Sequence, residues 1–198
     1  MSTETRERIL EEGARLVREH GFAATGLDAI LKASKVPKGS FYYYFKSKEA
    51  FGLELVTMRG EQIANAFQSF LCCEYEEKST TRLRMFFDYF KDEFTSEDLP
   101  LGCPIGNLAQ ELAAVNGEFR KRLKPVFSVM YDSVACCLSR ARDNGETELN
   151  SSPEETATFI VNSWQGALIA LKVTNSSEPL MLFEKLVFEE LLQSKEKL

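Results

Sequence analysis

The sequence predicts an all-α fold of about nine helices, and three observations support it. Almost every segment of the 198 residues repeats its apolar side chains at a spacing of three and four, which is the period of a helix face. No run shows the strict alternation of a half-buried strand. Signals for helix starts and stops separate these segments, and the 44% hydrophobic content is enough for a core.

The first 47 residues contain three predicted helices. A helix from about Thr3 to His20 ends at Gly21, a residue type that tolerates positive φ. Thr25-Gly26-Leu27-Asp28 fits a capping box that opens a short helix, whose inward residues are Leu27, Ile30 and Leu31. Pro37 ends this helix, because proline disfavours helical geometry in the residue before it. A second short helix runs from Lys38 to Tyr44.

Longer helices are predicted for the rest of the chain. Ser47 and Asn116 are expected to cap two of them, and Ser152-Pro153-Glu154-Glu155 is a capping box for a third. Pro104 fits the first position of another. The predicted spans are Lys48 towards Cys73, about Thr81 to Phe94, from Pro104, from Asn116, about Pro153 to Val173 and about Pro179 to Gln193, with a loop from Ser96 to Gly102.

Charge is distributed unevenly along the chain. The net charge is -6, yet residues 1–50 carry nine Lys/Arg against seven Asp/Glu. Between Gly26 and Lys48 there are five lysines and one aspartate. A basic segment on an acidic body is typical of a local site for a polyanion such as DNA. The sign of the charge changes near Lys48, so we place a domain boundary there, between 1–47 and 48–198.

The two short helices, joined by a tight turn and packed on a longer helix, predict a helix-turn-helix motif. Its second helix must bury one side and present the other to the major groove of DNA. The expected buried residues are Val36, Phe41 and Phe45, and the expected exposed ones are Lys38, Tyr42 and Tyr43. The alternative is an aromatic helix in an ordinary core, where three consecutive tyrosines would need buried hydroxyl partners.

Several other residues near this helix are suited to contact DNA. Gly39 and Ser40 are small, so the backbone can approach DNA closely. Lys48 lies in the first turn of its helix, where the macrodipole disfavours a cation, and a bound phosphate would remove that penalty. Thr25, at its expected cap position, is also suited to meet a phosphate.

The segment from Val36 to Glu49, together with Gly21-Phe22 and Thr25 upstream, resembles the recognition-helix signature of TetR-family repressors. The resemblance implies a homodimer that binds a palindromic DNA operator and is released by a ligand or a modification. It implies a helix-turn-helix DNA-binding domain at 1–47 and a helical effector-binding and dimerisation domain at 48–198. Tyr44 stands where the family often has histidine, and its hydroxyl could preserve a phosphate contact. The DNA contacts that the resemblance implies are Thr25, Lys38, Gly39, Ser40, Tyr42, Tyr43, Tyr44 and Lys48.

Two further segments are similar to a narrower branch of this family, which includes the N-ethylmaleimide reductase repressor. They run from Gly102 to Leu108 and from Trp164 to Lys172. In that branch the cysteine and the lysine that match Cys103 and Lys172 act together in sensing reactive electrophiles or oxidants. The resemblance therefore implies an effector site at these two residues.

The residues themselves partly support this assignment. Cys103 precedes Pro104 and would cap a helix, a position that favours the reactive thiolate. Lys172 lies in an apolar stretch, where a cation needs a partner or a lowered pKa. The alternatives are that Cys103 is a small buried hydrophobic residue and that Lys172 binds the last carbonyl groups of its helix. The adjacent pairs Cys72-Cys73 and Cys136-Cys137 are expected to be structural.

A cluster of aromatic residues could line a ligand cavity, although at helical spacing such a cluster is also typical of ordinary core. Its candidate lining residues are Phe86, Phe90, Phe127, Tyr131 and Trp164. A regulator induced by a reversibly bound apolar ligand is therefore an alternative to thiol sensing. A cysteine-dependent enzyme is a remote alternative, because His20 is the one histidine and it lies in the DNA-binding half.

The sequence also bears on partners and location. The last two helices, with the small residues Gly166, Ala167 and Ala170, are expected to build a dimer as a four-helix bundle. Five cysteines without CxxC spacing indicate thiols rather than a zinc site, and we predict no metal and no cofactor. The sequence shows no signal peptide and no apolar run of membrane-spanning length, so we expect a cytoplasmic protein that does not bind a membrane.

Overall fold

The computed structural model describes residues 3–72, 77–95 and 101–192, and these residues form helices and no strand. The all-α prediction is confirmed. The helices are α1 Thr3–His20, α2 Leu27–Ser34, α3 Lys38–Tyr44, α4 Lys48–Leu71, α5 Ser79–Thr95, α6 Pro104–Leu112, α7 Gly117–Asp143, α8 Pro153–Thr174 and α9 Glu178–Lys185, followed by a π-helical segment at Leu186–Leu191.

Most of the predicted helix boundaries are confirmed by hydrogen bonds at the helix ends. Gly21 follows α1 with a φ of +86°. The Ser47 hydroxyl accepts from the Ala50 amide at 3.0 Å, and the Asn116 side chain accepts from the Glu118 amide at 2.9 Å. The Ser152 hydroxyl accepts from the Glu155 amide at 3.1 Å, and the Glu155 carboxylate accepts from the Ser152 amide at the same distance. These helix starts were predictable from the sequence because each has a nearby side chain that accepts a hydrogen bond from a free backbone amide.

The start of α2 differs from the prediction. Gly26, with extended backbone, precedes the helix, and it makes no side-chain cap. The Thr25 hydroxyl is buried and donates to the carbonyl of Gly21 at 2.7 Å instead. The capping box was wrong, because the carbonyl at the end of α1 competes for the same hydroxyl.

The last α-helix is shorter than predicted, and parts of three predicted segments lie outside the described residues. We predicted a helix from about Pro179 to Gln193, but α9 ends at Lys185 and a π-helical segment continues to Leu191. Gln193 lies outside the described residues, as does Cys73, the expected end of α4. Most of the loop predicted from Ser96 to Gly102 also lies outside them.

The chain folds as two compact units. The first contains Met1–Glu61 and Pro104–Lys124, and the second contains Gln62–Cys103 and Pro125–Leu198. In the first unit, helices close to the N-terminus pack with α6 and the start of α7. A Cβ on Gly52 would lie 2.5 Å from the ring of Phe22 and 2.8 Å from that of Phe119, so only glycine allows this approach. The functional boundary at residue 47 remains a prediction.

The core of the second unit is rich in aromatic rings. Phe87 packs against Trp164 and Phe183 with ring centroids 5.0 and 5.1 Å apart. Phe86 packs against Phe67 at 4.4 Å and against Phe90 at 4.8 Å. These contacts join α4, α5, α8 and α9 into one core. Among the described residues, no helix is long and apolar enough to cross a bilayer.

Candidate functional site

One face of α3 is open to solvent and the other is fixed in the core. Lys38 and Gly39 are exposed, and Tyr42 and Tyr43 are 48% and 68% exposed. A Cβ on Gly39 would meet no atom within 4 Å, so the helix surface is open there. The two exposed tyrosines and the lysine form a polar, partly aromatic surface, which we call the α3 face.

Buried aromatic rings hold α3 in place. Phe41 is fully buried, and its ring centroid lies 5.3 Å from that of Phe45 and 5.7 Å from that of Phe51 in α4. Phe45 and Val36 are also buried, as the sequence predicts. The α3 face therefore belongs to a helix with little freedom to rotate.

The turn between α2 and α3 is fixed by polar contacts. Lys35 takes the left-handed conformation, with a φ of 52°, and ends α2. The Arg8 guanidinium donates to the Ser34 carbonyl at 3.0 Å, and the buried Ser34 hydroxyl donates to the Ile30 carbonyl at 2.6 Å. Together these contacts satisfy the end of α2 and set the direction in which the chain enters α3.

Four of the eight predicted DNA contacts are not fully exposed, and Lys48 is one of them. Thr25 and Ser40 are buried, and Tyr44 is half-buried. Tyr44 packs its ring against Tyr43 at 5.0 Å between centroids. The role of Thr25, Ser40 and Tyr44 in binding DNA stays a prediction.

Lys48 is half-buried and holds the loop between α1 and α2. Its ammonium donates to the Ala23 carbonyl at 3.2 Å and lies 4.8 Å from the centroid of the Phe22 ring. A cation over an aromatic face is favourable. Lys48 is thus oriented beside the loop that carries Thr25.

Glu111, in α6, is a site residue that the sequence analysis missed. Its two carboxylate oxygens accept from the amides of Phe22 and Ala23 at 2.8 and 2.5 Å. The Ala23 peptide group is therefore held at its amide by Glu111 and at its carbonyl by Lys48, and we call this arrangement the loop clamp. The 89-residue separation between Phe22 and Glu111 leaves no local pattern that would have revealed it.

Two more contacts tie α6 and α7 to α4 within the first unit. The Asn116 amide group donates to the Glu49 carboxylate at 2.7 Å. The Arg122 guanidinium donates to the Thr57 hydroxyl at 2.5 Å. The segment at 104–124 is therefore connected to α4 by polar contacts as well as by apolar packing.

Cys103 lies directly before α6, at the last residue of one segment of the second unit. It is buried, and it follows Gly102, whose φ is +68°. It borders a small cavity of about 10 Å³ whose lining also includes Phe86, Phe90 and Trp164. That space holds about one water molecule. The aromatic rings around Cys103 are thus closely packed, and the role of the cluster as a ligand cavity stays a prediction.

Lys172 and the remaining cavity residues lie elsewhere in the second unit. Lys172 is in the last turn of α8 and exposed, eight residues and about 12 Å along the helix from Trp164. This is the position that the helix-end alternative describes. Phe127 and Tyr131 are half-buried, and the Tyr131 hydroxyl donates to Asn162 at 2.9 Å. The roles of these residues in sensing stay predictions.

Comparison with known families agrees with this geometry. Residues 9–55 match the family of bacterial regulatory proteins called tetR, and residues 79–187 match the tetracyclin repressor-like C-terminal domain. The chain belongs to the TetR family of transcriptional repressors. The TetR fold is thus shown over both halves of the chain.

Characterised TetR proteins are similar to this chain over almost its whole length. The transcriptional repressor DhaR of Mycobacterium sp. strain GP1 is 31% identical over 98% of this chain and 96% of its own length. The repressor NemR of Escherichia coli K12 is 28% identical over 89% of this chain and 88% of its own. The crystal structure of E. coli NemR in its reduced form superimposes with a TM-score of 0.89, at 25% identity, and covers 98% of this chain and 100% of that one.

Proposed function

We propose that this TetR-family protein represses transcription by binding a palindromic operator through the α3 face. The observation that carries the proposal is the exposure of Lys38, Tyr42 and Tyr43 on a helix that Phe41 fixes from behind. In a helix-turn-helix this is the surface that enters the major groove. Lysine and tyrosine side chains donate to phosphates and base edges there.

The loop clamp supports a separate phosphate contact. Lys48 is held next to the loop and keeps two further ammonium protons for a phosphate. This contact would supply affinity for any DNA sequence, whereas the α3 face would supply the choice of sequence.

DNA binding by the α3 face is tested with a gel shift on DNA selected from a random library by the wild-type protein. Lys38→Ala and Tyr42→Ala should each weaken binding at least tenfold, because each removes a donor from the face. The matched controls are Lys124→Ala and Tyr89→Ala, which remove exposed side chains of the same types elsewhere. Unchanged affinity in both α3 variants would show that another surface reads the DNA.

The dimer is supported by an exposed apolar stripe on α8. Phe159, Gly166, Ile169 and Val173 repeat at heptad spacing and are all exposed. A Cβ on Gly166 would meet no atom within 4 Å. Exposed apolar side chains continue on and after α9, at Met181, Leu182 and Leu186. A second copy of these helices would cover the stripe in a four-helix bundle.

We further propose that a small electrophile or oxidant acting at Cys103 is the effector. Cys103 is buried against aromatic rings, so an adduct on its sulfur needs more room than the cavity of about 10 Å³ provides. Overpacking a core in this way costs roughly 1–3 kcal/mol. Each 1.4 kcal/mol is a tenfold change in an equilibrium, so the strain is large enough to alter operator affinity.

Cys103 sensing is tested by exposing operator complexes to iodoacetamide or hypochlorous acid. The wild-type protein should be released, and Cys103→Ser should stay bound. Replacing Cys72, Cys73, Cys136 and Cys137 together by serine should preserve the release. Lys172→Ala should slow the release only slightly, because Lys172 is exposed and an exposed ion pair is weak. Release of Cys103→Ser at the wild-type rate would contradict the assignment.

A reversibly bound apolar ligand is the second candidate effector. An open cleft of about 260 Å³, lined by residues that include Phe70, Met85 and Arg82, is large enough for a small apolar molecule. Induction of the Cys103→Ser variant by an apolar compound, together with loss of induction in Met85→Lys, would favour this candidate over thiol chemistry.

A further inference from the structure

Two cysteines outside the proposed effector site lie on neighbouring segments of the second unit. Cys72 directly follows the last residue of α4, and Cys136 lies in the second half of α7. The sequence analysis expected both to be structural. Both are thiols and both are half-buried, so solvent can reach them.

Contacts on either side of Cys136 place it opposite Cys72. The Arg140 guanidinium donates to the Cys72 carbonyl at 2.7 Å. Ser133 of α7 lines an open cleft together with Cys72. Ser133, Cys136 and Arg140 are three and four residues apart, so they share one face of α7. The Ser133 and Cys136 side chains both lie within interaction range of the Cys72 thiol.

The neighbouring Cys137 provides a contrast. It is fully buried, and its thiol donates to the Ser79 carbonyl at 3.2 Å on the side of α5. Burial raises the pKa of this thiol to about 12. Cys137 therefore faces the core while Cys136 faces Cys72, as the rotation of about 100° per helical residue requires.

The cleft beside Cys72 gives small oxidants access to the Cys72 thiol. It has a volume of about 580 Å³, and its lining includes the polar residues Asn65, Gln68 and Asp132. A cleft with polar walls admits water and small polar oxidants such as hydrogen peroxide. The thiol pair is thus close in space and reachable from solvent.

We propose that Cys72 and Cys136 form a reversible intramolecular disulfide. With hydrogen peroxide, one thiolate attacks a peroxide oxygen and becomes a sulfenic acid as the first water leaves. The sulfur of the second cysteine then attacks the sulfenic sulfur, the S–S bond forms and the second water leaves. Two thiols lose two electrons and two protons, and one peroxide is reduced to two waters. A thiol reductant reverses the reaction.

This dithiol site is independent of the proposed sensing at Cys103. Cys103 lines the closed aromatic cavity, whereas Cys72 lines the open cleft. Burial and the neighbouring Cys136 raise the pKa of the Cys72 thiol. Because the thiolate is the reactive form, the rate of disulfide formation should increase as the pH rises from 7 to 9.

The disulfide is tested by treating the full-length protein with hydrogen peroxide, blocking the remaining thiols and digesting it with trypsin. The peptides 60–78 and 123–140 should be recovered as one linked species that dithiothreitol separates, and Cys103 lies in neither peptide. The link should form in the wild-type protein and in Cys73→Ser, Cys103→Ser and Cys137→Ser. It should be lost in Cys72→Ser and in Cys136→Ser. If Cys137→Ser fails to fold, Cys137→Ala replaces it as the control.

Three results would overturn the proposal. The first is a link between the same peptides in Cys72→Ser or Cys136→Ser, which would assign the bond to Cys73 or Cys137. The second is recovery of the linked peptides only from a band at twice the monomer mass on a non-reducing gel, which would show that the bond joins two chains. The third is conversion of Cys72 or Cys136 to sulfinic acid with no linked species. Formation of the disulfide should also raise the melting temperature of the protein by roughly 5 °C, because the bond closes a long loop in the unfolded chain.

Discussion

At the residue scale, the loop clamp shows how one carboxylate from α6 fixes the entrance to the helix-turn-helix. Glu111 accepts two amide hydrogen bonds from a loop that makes no regular structure of its own. Hydrogen bonds to a charged acceptor contribute roughly 1.5–3 kcal/mol. The position of Lys48, and of any phosphate that it meets, therefore depends on a residue near the end of α6.

Glu111→Gln should loosen the α1–α2 loop. An amide side chain has one acceptor oxygen in place of two and no charge, so one of the two loop amides loses its partner. We expect faster hydrogen exchange at Phe22 or Ala23 and a several-fold loss of DNA affinity. Glu118→Gln is the matched control, since Glu118 is an exposed carboxylate on α7. Equal exchange rates in the wild-type protein and in Glu111→Gln would show that the clamp does not hold the loop.

Gly39→Ala adds one methyl group to α3 and should affect DNA binding without affecting the stability of the fold. The added methyl group meets no protein atom within 4 Å, so stability should change by less than about 0.5 kcal/mol. If backbone approaches DNA here, the methyl group should reduce operator affinity more than tenfold. Thermal unfolding and a gel shift on the same sample check both parts. Wild-type affinity in this variant would mean that α3 does not approach DNA closely at Gly39.

At the scale of elements, a side chain from a distant part of the chain stabilises the start of α5. Glu146 follows α7, and its carboxylate accepts from the Thr80 amide at 3.0 Å in the first turn of α5. Burial alone would raise its pKa, but hydrogen bonds from the backbone of Thr80 and Ser79, and from Asn144, lower it below the ordinary value for glutamate. The charged form is therefore favoured in the folded state.

The lowered pKa of Glu146 predicts how stability depends on pH. A carboxyl whose pKa is lower in the folded state stabilises the fold above its unfolded pKa, and this contribution is lost as the pH falls through the folded pKa. Glu146→Gln should cost about 1 kcal/mol at pH 7, which is typical of a helix cap. The difference from wild type should be smaller at pH 3, because the unfolded carboxyl is then protonated and part of its contribution to stability is lost. Urea denaturation at both pH values measures it, and a difference independent of pH would assign the effect to packing.

The same elements show what the sequence could and could not predict. Ser47, Asn116 and Ser152 act on amides within three residues, so local patterns located α4, α7 and α8 correctly. Thr25 failed as a cap because its hydroxyl bonds to the carbonyl of Gly21. The α3 face was predictable, since burial alternates along one short helix. Glu111 and Cys136 were not, because their partners come from segments far away in the sequence.

At the scale of the whole molecule, the apolar stripe on α8 predicts the oligomeric state. Ile169→Glu places a charge in the middle of the stripe and should convert the dimer into a monomer at micromolar concentration, because a buried unpaired charge is costly. Val115→Glu is the matched control, because Val115 is 80% exposed but lies outside α8 and α9. Sedimentation equilibrium distinguishes the two species. A wild-type monomer, or a dimeric Ile169→Glu variant, would contradict the proposed assembly.

The composition of the first unit has a consequence for how such regulators can be recombined. Its residues come from two stretches of the chain, 1–61 and 104–124. The stretch between them, which contains α5 and Cys103, belongs to the second unit. A chimaera that inherits residues 1–61 from another family member would place foreign side chains against the resident Glu111 and Phe119. Exchange of DNA specificity between relatives should therefore succeed through α3 alone, or through 1–61 together with 104–124. Inheritance of the N-terminal piece by itself would separate residues that must change together.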